Sequence, residues 1–127
     1  MTGSLKGLAV ETGSNTLRQG IGGTVVPLTA GSATDQFLID FVNISVEDGW
    51  GTFELLAAPQ SGSSYITMFV AHVNPSSPAF ACGPFQLLPS YNLAIRALDT
   101  PDGGNWNVVT DVVWSVTRRS INPRDLG

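Results

Sequence analysis

The chain has one cysteine and one histidine in 127 residues. A single cysteine excludes an internal disulfide framework and any multi-cysteine zinc site, and a single histidine excludes every two-histidine metal motif. Basic residues are also scarce, six against ten acidic ones, for a formal net charge of −4. Proteins that bind nucleic acid neutralise phosphates with a broad basic face. Six residues cannot build one, so nucleic acid is not expected as a partner. Charged residues make up 13% of the chain, against about 25% in ordinary soluble domains. The surface must therefore be made of Ser, Thr, Asn and Gly, or be covered by a partner. Apolar runs fall far short of the roughly 20 residues of a membrane helix, so no membrane association is expected. Met1–Ala9 lacks the apolar stretch of a secretory signal. Synthesis in the cytoplasm is the default, and the lone Cys82 agrees with it.

What the sequence does have is 43% apolar residues, Gly 14 and Pro 8. Glycine and proline cut the chain into short pieces, and only Ser32–Asp48 and Asn105–Asn122 run long without either. Both are rich in β-branched and aromatic residues and read as strands. Phe37, Ile39 and Phe41 alternate on odd positions, Ile44 and Val46 on even ones, so a β-bulge is expected near Val42–Asn43. Asp48–Gly49 closes that strand with a turn. Thr52–Ala57 is a short strand. Tyr65–Val73 is apolar on both parities, the pattern of a strand covered on both faces, by a second sheet and by a subunit. Tyr91–Leu98 alternates with Tyr91, Leu93, Ile95 and Ala97 inward. Trp106–Arg118 puts Trp106, Val108, Val112, Trp114 and Val116 on one face. Turn signals at intervals of about 8–12 residues and the absence of any helical period predict an all-β fold. The expected form is an antiparallel β-sandwich, jelly-roll-like, of seven to nine strands. Residues 1–34, poor in charge, are read as an extended N-terminal arm with one or two short strands, Thr24–Leu28 foremost. Residues 35–118 form the sandwich and residues 119–127 a polar C-terminal tail.

No residue pattern announces a reaction, and no catalytic residue, metal or cofactor is expected. His72 is the sole candidate general base, and no Gly-x-Ser-x-Gly elbow accompanies it. Asp40 and Asp111 each lie inside an apolar strand, where a carboxylate must face solvent, pair, or border an interface. Asp99, Asp102 and Asn105 share one turn but lack the further ligands of a calcium loop. Trp106 and Trp114 are too far apart along one strand, about 27 Å, to stack on one sugar. Trp50, in the turn Asp48–Gly51, either is exposed as a contact residue or packs back on its own sheet.

Phe37–Asp48, Phe53–Leu56, Tyr65–Val73, the segment Cys82-Gly83-Pro84-Phe85-Gln86-Leu87, Tyr91–Ala97 and Trp106–Thr117 together form a layout. This layout resembles the small β-sandwich virion proteins of tailed bacteriophages, over roughly residues 35–118. The resemblance implies a capsid cement (decoration) protein: a homotrimer, assembled in the host cytoplasm, that binds the major capsid protein on the virion exterior and stabilises the shell. A fibre or tail component is the nearest alternative, and a carbohydrate-binding sandwich module a further one. No catalytic residues carry over from that family. Candidate contact residues are Trp50, Tyr65, Phe69, Arg118, Arg119, Ile121 and Arg124. Three arginines lie in the last ten residues, either to pair with acidic groups on a shell or simply to keep the tail solvated.

Overall fold

Alternating apolar residues in the sequence become eight antiparallel strands in the computed structural model, which describes residues 8–17, 23–31, 34–101 and 108–120. The strands are β1 (Leu8–Leu17), β2 (Val25–Pro27), β3 (Asp35–Val46), β4 (Gly51–Pro59), β5 (Ile66–Val73), β6 (Ala79–Gln86), β7 (Tyr91–Asp99) and β8 (Thr110–Ser120). They form two four-stranded sheets, β1-β8-β3-β6 and β2-β7-β4-β5. Only β4 and β5 are neighbours both in sequence and in a sheet. Every other pairing crosses between distant parts of the chain, which is the connectivity of a jelly roll. The expected antiparallel sandwich is thus the fold.

The core lies between the sheets. Phe37, Ile39, Val42, Ile44, Val112 and Val116 face inward from the first sheet, and Phe53, Leu55, Leu93 and Ile95 from the second, all buried. The change of parity on β3 is a bulge, with the register slipping between Ile39 and Phe41 against both β6 and β8. It falls at Asp40, ahead of the expected Val42–Asn43. The unpaired residue of a bulge re-aims its side chain, and here the carboxylate of Asp40 accepts hydrogen bonds from Ser115 and Thr117, each at 3.3 Å. Apolar alternation alone could not locate that residue.

The N-terminal segment contributes two strands, one to each sheet. β1 runs antiparallel to β8 over its whole length, from Leu8↔Arg119 to Leu17↔Thr110, so it is a member of the sheet rather than an arm reaching away. Gly13 makes this possible. It sits opposite Trp114, whose ring occupies the space a Cβ at that position would need. β2 pairs with β7 through Val25–Pro27, within the expected Thr24–Leu28. Asp48–Gly49 turns as expected: Gly49 has φ +78°, and its N–H donates to the Asp48 carboxylate at 2.9 Å.

Candidate functional site

The candidate chemical residues are dispersed. His72 is exposed near the end of β5, with its Nδ1 3.0 Å from the Thr52 hydroxyl. Asp111 accepts a hydrogen bond from Thr16 at 2.8 Å on the outer face of the first sheet. Of the candidate calcium turn, Asp99 ends β7, while Asp102, Asn105 and also Trp106 lie outside the described residues. Among the described residues, no three His, Cys, Asp or Glu side chains come together as a metal site.

The expected contact residues fall in three places. Trp50 is half-buried and its ring lies against His72, centroids 5.6 Å apart, so it packs back on its own sheet. Tyr65 precedes β5 at the opposite end from His72, about 23 Å away along an extended strand. Its exposed ring carries the Arg96 guanidinium 5.9 Å from the centroid. Phe69 faces inward and packs against the core, opposite the fully buried Leu55, so it offers no outward contact. Arg118 and Arg119 end β8 in the other sheet. Arg118 pairs with Glu11 at 3.1 Å and approaches Asp35 at 4.0 Å. Arg119 donates to Gln36 Oε1, and Gln36 is itself held by a hydrogen bond to the Leu87 carbonyl at 2.9 Å. Ile121 and Arg124 lie outside the described residues.

One polar cluster was not evident in the sequence. Glu54 on β4 faces outward but is buried, and it accepts hydrogen bonds from Thr67 and from Arg96, whose Nε lies 2.8 Å away. Burial pushes the Glu54 carboxyl up. The hydrogen bonds from Thr67 and Arg96, together with the Arg96 charge, outweigh that and hold it below its ordinary value. Beside this cluster lie Leu56, Ala58 and Ala94, also buried on the outer face of the second sheet, with Val25 against them. The Ala58–Tyr65 turn borders the same patch, where Val25, Pro27, Gln60, Tyr65 and Asn92 line a shallow depression of about 270 Å³. Asn92 is fixed from below: its Oδ1 accepts the Gly31 N–H at 2.9 Å. The pairing of Glu54 with Arg96 follows from register, and nothing short of the register could have revealed it.

What remains open is apolar and lies at the strands' outer faces. On the first sheet, Phe80 is exposed and stacks on Phe41, ring centroids 6.0 Å apart. Asn43 stands between Phe80 on β6 and the exposed Val113 on β8. On the second sheet, β5 has one face against the core, through Phe69, Ala71 and Val73, and Val70 exposed on the other; its register against β4 slips at Met68, so the exposed Ile66 stands opposite the inward Ala57.

No protein-family model matches this chain, and no curated protein sequence is similar to it. Among solved structures it is similar in fold to one described as "Bacillus endospore appendages form a novel family of disulfide-linked pili", at 13% sequence identity and a TM-score of 0.51, over 92% of this chain and 91% of that one. At that identity the likeness is one of fold.

Proposed function

We propose that this chain is a structural subunit that works through contact area rather than chemistry. In its specific form it is a virion protein of the capsid-decoration type, a homotrimer seated on the outside of a shell of major capsid protein. The supporting observation is the open apolar surface of the single chain: Val10 is 71% exposed, Phe80 61% and Val70 54%. Single exposed apolar residues are ordinary. Here they lie on the outer faces of both sheets in a chain with few charges, which is how a surface made to be covered is composed. The three-chain form is what the bacteriophage resemblance implies, and three subunits engaging a shell together would add avidity.

The test is the molar mass of the purified protein by light scattering over a dilution series, followed by co-sedimentation with capsids of the encoding phage. A mass near three chains and retention on capsids is the expected result. A single-chain mass at every concentration with no retention overturns the reading.

The fold likeness to a pilus-forming appendage favours a second reading, a subunit of an open polymer. One cysteine can join a chain to one other chain and no further, so such a polymer would be held together by non-covalent contacts. Electron microscopy separates the two: filaments support the polymer, and uniform particles of one size support the trimer.

A further inference from the structure

The depression on the outer face of the second sheet lies over the paired ends of β4 and β7, between β2 and the Ala58–Tyr65 turn, and measures about 270 Å³. Two of the side chains that line it are set by contacts behind them. Asn92 Oδ1 accepts hydrogen bonds from the Gly31 N–H at 2.9 Å and from the Thr29 hydroxyl at 3.3 Å, and that hydroxyl accepts the Leu93 N–H at 2.9 Å. Both lone pairs of the amide oxygen are engaged within the chain, so what Asn92 can offer a ligand is its NH2 group. Tyr65 is set from the other side. The Arg96 guanidinium lies 5.9 Å from the centroid of its ring and is itself held by Glu54. A buried ion pair adds little to stability; here it holds a cation against the Tyr65 ring. The turn between the two side chains is also fixed. The Gln60 N–H donates to the Ser90 carbonyl at 3.1 Å, and Gly62 takes φ +88°.

No charged residue lines the depression. Its walls combine the apolar ring surfaces of Tyr65, Pro27 and Pro59 with the amides of Gln60 and Asn92. The ligand that matches is uncharged, with one apolar face and a rim of hydroxyls. A pyranose ring has that form: its C–H face lies on an aromatic ring, and its hydroxyls both donate to and accept from planar amides. The size agrees, since sites for drug-sized ligands hold about 300–1,000 Å³ and this one falls just below them. The geometry points to a binding site for a neutral hexopyranose, seated against Tyr65, with Gln60 and the Asn92 NH2 on its hydroxyls. The depression is shallow, so the sugar is one unit of a glycan chain that runs on past it. A proline-rich peptide fits less well, because such peptides dock in grooves lined by aromatic rings, and Tyr65 is the one aromatic residue in this lining. Fixing Asn92 and Tyr65 before the ligand arrives lowers the cost of ordering them on binding. The site goes beyond the contact-area reading and does not depend on it, because a single chain carries all of its residues.

Affinity electrophoresis in gels cast with a neutral glucan, galactan or mannan tests this, beside NMR titration of the isotope-labelled protein with glucose, galactose and mannose. The expected result is retardation of the wild type by at least one of these polysaccharides. Tyr65→Ala should weaken binding about tenfold or more. Gln60→Ala should weaken it roughly threefold to tenfold, and Tyr65→Phe, which keeps the ring, should stay within about threefold of wild type. Tyr65 and Gln60 are exposed, and circular dichroism melts confirm the fold of each variant. Where Tyr65→Ala melts early, Gln60→Ala carries the test. Phe80→Ala, on the opposite sheet, is the control and should bind as the wild type does. A wild type that is not retarded and shows no shifts with any of the sugars overturns the site. Equal weakening in Phe80→Ala overturns it in favour of sticking through apolar surface, and full binding by both Tyr65→Ala and Gln60→Ala overturns it in favour of another place on the chain. Retardation by a charged polysaccharide alone overturns the uncharged ligand. Shifts with a free sugar but no retardation overturn the glycan chain in favour of a free hexose at the same site. A single-chain mass in light scattering would overturn the subunit reading and leave this site standing.

Discussion

Arg96 Nε donates to Glu54 Oε1 at 2.8 Å across the β4–β7 ladder, on the outward side of the second sheet rather than in the core between the sheets. The carboxylate is buried there under Thr67 and Arg96, on the same face as the buried Leu56, Ala58 and Ala94. The outer face of this sheet therefore has a small core of its own, built around an ion pair.

Acid should weaken the fold partly through this pair. Glu54 is held below its ordinary carboxylate value in the folded state, so its contribution is fully present above the unfolded value, about 4.3. It is lost as pH falls through the lower folded value. Glu54→Gln removes that contribution and leaves the Arg96 guanidinium without its counter-charge. It should cost about 1–3 kcal/mol at neutral pH and flatten the loss of stability between neutrality and acid. Urea melts of both proteins over a pH series check this, and equal acid slopes would count against it.

Gly13 and Trp114 should couple strongly. Gly13→Val places a branched side chain where the Trp114 ring lies, and overpacking of this kind costs about 1–3 kcal/mol. Trp114→Ala alone should also destabilise, by removing a ring packed against the core. The double variant should lose less than the sum of the two, because the alanine vacates the space the valine needs. Additive losses in urea titrations would show that the two positions do not share that space.

Phe37 and Phe80 are both phenylalanines on the first sheet and should behave oppositely. Phe37 is fully buried, and Phe37→Ala should cost about 3–5 kcal/mol. Phe80 is exposed and touches mainly Phe41, so Phe80→Ala should cost no more than about 1.5 kcal/mol. Melting curves recorded at a dilution where the protein is a single chain check the contrast. A large loss at Phe80 would mean that its ring is covered within the chain.

Oxidation should have a ceiling. With Cys82 as the only thiol, a non-reducing gel of air-oxidised protein should show bands at one and two chains and none above. A ladder of higher bands would mean that covalent chemistry other than a cysteine bridge links the chains.

The alternation of Phe37, Ile39, Ile44, Val46, Leu93 and Ile95 was legible because a half-buried strand imposes a period of two on its own sequence. The Asp48–Gly49 turn was legible because only a few residues accept its backbone angles. β1 was harder to place. Its Thr-Gly-Ser-Asn run looks like linker, and what makes it a strand is the Trp114 ring that Gly13 admits, about a hundred residues away. The doubly apolar β5 gave no sign of which parity faced the core. Phe69, expected as a contact residue, is therefore an inward one, while the neighbouring Val70 is open. Glu54 looked like any strand glutamate, since its partners lie on β5 and β7 and only the register brings them to it.

The pairing of β1 with β8 also fixes the timetable of folding. The first strand of the sandwich to leave the ribosome has its partner in the last, so the first sheet cannot close until Thr110–Ser120 has been made. Until then β1 lacks its one neighbour in the sheet, and its ladder depends on a loop closure spanning most of the chain, which is slow. On a polysome the nearest completed β8 belongs to the chain ahead. Exchange of β1 between nascent copies is therefore the characteristic misassembly of this topology, and co-translational pairing favours whichever copy has finished first.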